Sequence, residues 1–460
     1  MNDPKPASFK HRMSDAFSSL DMFIHDESIG SVILFVCVVT ALVVANSPWG
    51  YIYQDLVQTY AKIEIGEYTV EGTLRSWVND GLMVLFFFVI GLEIKREMMV
   101  GELQDARLAL PVTVAALGGM MAPALIYYAF TAGSPEAHVW GIPMATDTAF
   151  ALGVLMLVGR SSVAGAAAFL TALAIIDDIG AILVIAIFYS ADIRPSYLIG
   201  AACIFIGLLG LNVANVRRPG VYLLGGVMLW LTMLTSGVHA TSTGILAALA
   251  VPTRPRHHGG WLLQRVQRLM QEFEKKERRR PNELTILADP EQHAVIENLE
   301  HAVEQATTPL QRWERALARP IALFVLPLFA LMNAGVPLSS EIFTDLWTNR
   351  LALGIILGLV VGKVVGITGG TWLALRGGLG RLPSDMNMRH VFGIGLLGGM
   401  GFTMSIFIAS LGLEAGSATL VTAKVAIITA SVIAGSLGYF WLRWSTGDGR
   451  GSSPQTSRSV

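Results

Sequence analysis

Runs of about 20 mainly apolar residues, the length needed to cross a bilayer as one helix, recur along the whole chain. They lie near 28–46, 77–96, 108–130, 138–158, 163–190, 195–214, 219–236, 238–252, 319–336, 351–374, 390–412 and 418–442. Twelve such runs predict an all-α polytopic membrane protein, with the eighth run notably short. The first run follows about 27 polar residues and precedes eleven more, a poor fit to a cleaved signal peptide. Only 15% of the residues are charged, against roughly a quarter in soluble domains, which argues against a soluble enzyme. The formal net charge of −1 lacks the basic excess that nucleic-acid binding requires. Cys37 and Cys203 both sit in apolar runs, so neither a disulfide scaffold nor a thiolate metal cluster is expected.

An even number of spans puts both termini on one side, and the Lys/Arg distribution chooses that side. One side collects 27 of these residues and the other only Lys62, Arg75, Arg194 and Arg350, which predicts cytoplasmic termini. The chain then divides into an N-terminal tail (1–27), eight spans (28–252), a charged cytoplasmic insertion (253–318), four spans (319–442) and a C-terminal tail (443–460). Outside, Lys62 to Val70 alternates around Gly66-Glu67 and reads as a small β-hairpin or a plain loop. In the insertion, Ile296, Leu299, Val303, Ala306, Leu310, Trp313 and Leu317 repeat at helical spacing, as do Leu262, Val266, Leu269 and Phe273. Two amphipathic helices paired with each other are expected, with Pro309 interrupting the second. The basic run Lys275–Arg280 reads as a solvated helix face, with anionic lipid as the other reading.

Ionisable side chains within apolar spans are functional candidates, because burying them in lipid costs several kcal/mol. Here they are Asp80, Glu93, Asp147, Asp177, Asp178, Lys363 and Lys424. Asp80, Glu93 and Lys424 lie near span ends and are expected to reach water. Asp147, Asp177, Asp178 and Lys363 lie deeper. Lys363 with one aspartate could be a purely structural ion pair, but such pairs gain little over apolar packing. Three carboxylates against one lysine leave negative charge that a mobile cation or protons can balance. Adjacent helical residues point about 100° apart, so one of Asp177 and Asp178 can face Lys363 while the other faces an aqueous path.

Glycine and proline mark where spans break. The fourth span contains Gly141-Ile-Pro143-Met-Ala-Thr146-Asp147-Thr148, and the eleventh Gly398-Gly399-Met-Gly401-Phe-Thr403-Met-Ser405. Broken helices expose backbone amides and carbonyls. Asp147 suits the former and Lys363 the latter. Gly354, Gly358, Gly362, Gly366 and Gly370 recur every four residues and predict close helix packing in the tenth span. The fourth and eleventh spans cross in opposite directions, so spans three to five and ten to twelve read as inverted repeats with two broken helices crossing at mid-depth.

Several ordered motifs resemble the NhaA-type bacterial sodium/proton antiporters. They are Asn79-Asp80-Gly, Gly91-Leu-Glu93-Ile-Lys95-Arg-Glu97, Ala145-Thr-Asp-Thr-Ala-Phe-Ala-Leu-Gly153 and Ala174-Ile-Ile-Asp-Asp-Ile-Gly-Ala181. Ser236-Gly-Val-His-Ala-Thr241, Asn333-Ala-Gly-Val336, Gly362-Lys363 and Gly401-Phe-Thr-Met-Ser-Ile-Phe-Ile-Ala-Ser410 continue the likeness. It runs from about 28 to 445, outside the insertion. The resemblance implies a secondary transporter of the bacterial inner membrane that needs no cofactor and is not an enzyme. Asp177 and Asp178 would bind Na⁺ or Li⁺ and carry protons, with Thr146 beside them. Lys363 would pair with Asp177, and Asp147 would sit at the helix crossing. Asp80, Glu93, Glu97, His239 and Glu314 match positions tied to the cytoplasmic entrance or the pH response. The segment 61–71 would form a homodimer contact. Arg319 stands where the family pattern leads one to expect histidine, and the insertion is longer than that pattern. An intramembrane aspartyl protease would need Tyr-Asp and Gly-x-Gly-Asp contexts, which Asp147, Asp177 and Asp178 lack. A channel would need a ring or filter of polar groups. Another monovalent cation such as K⁺ is the remaining alternative as cargo.

Overall fold

The computed structural model describes residues 29–65, 68–100, 106–159, 164–190, 193–254, 259–279, 290–383 and 385–447. The N-terminal tail, the Gly66-Glu67 turn, Arg160, Arg280 and the C-terminal tail from 448 onward lie outside the described residues.

Helix α1 (Ile29–Ala45) turns by 113° into the short α2 (Gly50–Gln58). Two antiparallel strands follow, β1 (Tyr60–Ile65) and β2 (Tyr68–Thr73), with Ile63 opposite Val70 and Lys62 opposite Glu71. Thr73 caps the next helix, α3 (Leu74–Met99), by accepting the Ser76 amide. This helix widens into a π turn at Val78–Leu82. Helix α4 (Ala106–Thr131) is uninterrupted despite Pro111 and Pro123. Two 3₁₀ turns, Pro135–Val139 and Ile142–Met144, lead through an extended Ala145-Thr146-Asp147 segment into α5 (Thr148–Val158). There the axis bends by 42°. Helices α6 (Ala164–Phe188), α7 (Pro195–Val213), α8 (Pro219–Leu234) and α9 (Ser242–Ala250) complete the first half.

The insertion supplies α10 (Gly259–Arg279) and α11 (Pro290–Ala306), which pack on each other through Leu269, Val295 and Ala302, flanked by Trp261, Leu262, Phe273 and Leu299. Pro309 then opens α12 (Pro309–Asn333), with Thr308 accepting the Gln311 amide as its cap. A helix is thus already under way across 309–318, within the segment assigned to the insertion by sequence. Leu310 and Trp313 pack against Leu92, Ala248, Val251 and Phe88 instead of extending the pairing of α10 and α11. The proline starts a separate helix because its missing amide hydrogen is no loss in a first turn. A π turn, Ile321–Val325, lies within α12.

The second half contains α13 (Ser340–Asp345), α14 (Arg350–Arg376), α15 (Met388–Gly398), α16 (Phe402–Gly412) and α17 (Ala418–Gly447). Helix α14 holds a third π turn at Gly358–Gly362, and α15 meets α16 at 43°. Among the described residues, seven helices are long and apolar enough to cross a membrane, or up to ten if each of three bent pairs counts once. The expected seventh and eighth spans are α8 and α9, of 16 and 9 residues, separated by a turn in which Gly237 has φ +84°. Apolar side chains such as Ile206, Val213, Leu224 and Phe440 stand well exposed, as expected of helices whose outer surface meets lipid.

The four-residue glycine repeat of α14 lies along α4. A Cβ on Gly366 would sit 2.1 Å from the Gly118 carbonyl oxygen, and one on Gly370 would sit 2.6 Å from that of Val114. No side chain larger than hydrogen fits between these backbones, which is the small-residue contact predicted for this span.

Candidate ion site

Four elements converge at mid-molecule. Helix α6 brings Asp177 and Asp178, α14 brings Lys363 just after its π turn, the segment before α5 brings Thr146 and Asp147, and the bend between α15 and α16 supplies backbone. All five side chains are buried, Lys363 completely. The Lys363 Nζ donates to Asp177 Oδ2 at 2.7 Å and to Thr146 Oγ1 at 3.0 Å. The Thr146 hydroxyl in turn donates to the Gly398 carbonyl at 3.1 Å, at the end of α15. Lys363 therefore reaches the exposed C-terminal carbonyl through a threonine, where the sequence suggested direct compensation.

Asp147 is held on two helix ends. Its Oδ1 accepts the Phe150 amide at 3.2 Å and caps α5, while its Oδ2 accepts the Thr403 amide at 2.9 Å in the first turn of α16. Its own amide donates to the Met400 carbonyl at 2.6 Å. An extended backbone at Asp147 is what a capping residue requires. One buried carboxylate facing two positive helix ends is favourable.

Asp177 and Asp178 differ from this pattern. Asp177 Oδ1 and Asp178 Oδ1 are buried without a hydrogen-bond partner. The charge of Asp178 lies within reach of Asp177, Glu93, Asp147 and Lys363. Among the described residues, no three His, Cys, Asp or Glu side chains gather around a metal-ion position. What the site offers a small cation is therefore two adjacent carboxylates with oxygens to spare. An unpartnered buried polar atom is costly, and a cation, a water or a proton would each relieve that cost.

Other expected residues fall into separate places. Glu93 and Glu97 lie in α3 near Arg96, whose Nε pairs with Glu314 of α12 at 2.9 Å. Glu93 shares the local field of Glu314, Arg96 and Glu97. The structure thus brings Glu93, Glu97 and Glu314 together. His239 is elsewhere, its Nε2 2.7 Å from the Tyr189 carbonyl just past the end of α6. Asp80 lies in the π turn of α3, and its carbonyl accepts the Trp230 indole hydrogen at 2.7 Å.

Lys424 corrects an expectation. It is 3% exposed, and its Nζ donates to the Asn333 carbonyl at 3.1 Å instead of reaching water. The negative C-terminus of α12 provides a partner that span depth alone does not reveal. Arg75 donates to Met332 of the same helix end, and Asn333 forms an amide pair with Asn79 at 2.8 Å. Sequence reasoning missed this cluster, although Asn79 and Asn333 both fall within the motifs noted above. It also missed Lys95, which binds two carbonyls at the end of α9.

The profile of the Na⁺/H⁺ antiporter 1 family matches residues 21–442. The chain is 42% identical over 438 residues to the Na⁺/H⁺ antiporter NhaA 1 of Pseudoalteromonas atlantica, covering 95% of this chain and 92% of that protein. It is 40% identical over 440 residues to a protein of the same name from Saccharophagus degradans, covering 96% and 94%. It is 41% identical over 424 residues to the Na⁺/H⁺ antiporter NhaA of Sulfurimonas denitrificans, covering 92% and 95%. With a family match over most of its length and relatives this similar end to end, the chain belongs to the Na⁺/H⁺ antiporter 1 family.

Proposed function

We propose that the chain exchanges cytoplasmic Na⁺ or Li⁺ for external protons across the bacterial inner membrane, by alternating access to the Asp177–Asp178 site. The observation that carries this reading is the pair of unpartnered carboxylate oxygens beside the buried Lys363–Asp177 bond. The names of the relatives support the same reading. Protons and the cation compete for the same oxygens. Cation binding at Asp177 and Asp178 displaces protons, and protonation on the other side expels the cation. Lys363 keeps Asp177 ordered when no cation is bound. Asp147 and Thr146 hold the two bent helices so that the site keeps its shape. If only the loaded or protonated site crosses, the gradients set the direction.

Exchange of more protons than cations makes the cycle electrogenic and suits it to sodium tolerance and pH homeostasis. Cytoplasmic termini, and a homodimer through 61–71, belong to the same reading.

The test is cation-driven proton flux in sealed proteoliposomes with Na⁺, Li⁺ and K⁺ in turn. Flux with Na⁺ or Li⁺ is expected, and the half-saturating concentration should rise about tenfold per unit fall in pH below the relevant pKa. Flux with K⁺ alone would reassign the cargo. A half-saturation independent of pH would remove direct competition.

A further inference from the structure

Near the Met99 end of α3, consecutive side chains hold two different helices. Lys95 Nζ donates to the Leu249 carbonyl at 2.5 Å and the Val251 carbonyl at 2.6 Å. These oxygens lie at the end of α9, where a helix leaves carbonyls without intrahelical partners and carries partial negative charge. The next residue, Arg96, pairs with Glu314 in α12. Consecutive helical side chains point about 100° apart, so the two bonds pull on two sides of α3 and fix its rotation. The fit between α3 and α9 is close along their length. A Cβ on Gly244 would lie 2.3 Å from the Val84 carbonyl oxygen, and one on Gly91 would lie 2.7 Å from the Ala248 Cβ. Glu93, two residues before Lys95, is near enough for its charge to act on Asp178.

We propose that Lys95 is a positioning residue for cation exchange: by closing the end of α9, it sets the rotation of α3 and so keeps the charge of Glu93 directed at Asp178. Lys95 itself touches no transported ion. It acts beside a cluster in which Glu93, Glu97 and Glu314 gather around Arg96, with Arg315 next to Glu314. Without the Lys95 bonds, the end of α3 keeps its apolar contact with α9 through Leu92 and its Arg96–Glu314 pair, but loses its polar tie to the end of α9. Glu93 then contributes less negative potential to the site, so the cation and the competing proton both bind less well, and the loss of cation affinity shows where the carboxylates are deprotonated. This inference rests on the cation-exchange reading above.

The experiment compares wild type, Lys95→Met and Lys95→Arg in proteoliposomes, measuring half-saturating sodium concentration, maximal rate and melting temperature in detergent. At a pH above the range in which protons compete, Lys95→Met should raise the half-saturating concentration about fivefold while the maximal rate stays within about twofold, a loss of binding and not of turnover. Lys95→Arg, which keeps charge and donors, should restore the wild-type value. A lower melting temperature and maximal rate with unchanged half-saturation would make Lys95 a structural cap and overturn the proposal, as would no change at all. If Lys95→Met fails to insert, Lys95→Gln is judged by the same criteria. Wild-type vesicles without cation-driven flux would remove the exchange reading itself, whereas active wild type with an unaltered Lys95→Met half-saturation would remove only the role of Lys95.

Discussion

Asp147 and Asp178 are both buried carboxylates near the middle of this bundle, but their surroundings differ. Asp147 spends both oxygens on backbone amides, one from each of two helix ends. Asp178 keeps Oδ1 without a partner and sits among other negative charges. The first arrangement joins two bent helix pairs where their bends meet. The second leaves the valence that a moving ion can use. Burial alone does not separate these two carboxylates; the unspent oxygen of Asp178 does.

The largest effect that would sharpen this comparison is expected at Asp178. Asp178→Asn should abolish sodium-driven proton flux, because a neutral amide cannot trade a cation for a proton. Its melting temperature in detergent should not fall, since a charge without a hydrogen-bonded counterpart is removed. Measurable flux in this variant would end the site assignment. Asp147→Ala should instead lower the melting temperature along with the flux, because each lost cap costs about 1–2 kcal/mol. Equal melting temperatures for the two variants would break the comparison. The smallest effect is expected where neither region is touched. Replacing 259–306 by a short Gly/Ser linker leaves Lys95, Glu314 and all mid-molecule charges in place. Flux should therefore remain measurable, and its loss in a correctly inserted protein would make α10 and α11 part of the transport path.

Much of the site could be read from the sequence because lipid makes polar residues conspicuous. Asp177, Asp178 and Lys363 stand out by depth, and the structure joins Lys363 to Asp177. The glycine repeat of α14 announces a close neighbour, although only the fold identifies it as α4. Asp147 could be expected at helix N-termini from its place after Pro143. That it serves two at once depends on how α5 and α16 meet. Lys424 and Lys95 were out of reach for a different reason. Their partners are backbone carbonyls at helix ends distant in sequence, and a carbonyl carries no residue-specific signal. The shortness of α9 was visible in its run, but its attachment to α3 required the packing of Gly244 and Gly91.

The meeting of Gly118 with Gly366 has a mechanical consequence. Two backbones in such close contact cannot slide past one another, because a shift of one residue along either axis would drive a side chain into a carbonyl. The pair α4 and α14 therefore behaves as a single stiff beam, and Lys363 rides on it. Movement of the lysine away from Asp177 needs either a rotamer change within the beam or displacement of the whole beam against α6. Compliance at this site belongs to side-chain torsions and to the seams around the beam, and none of it to the glycine contact.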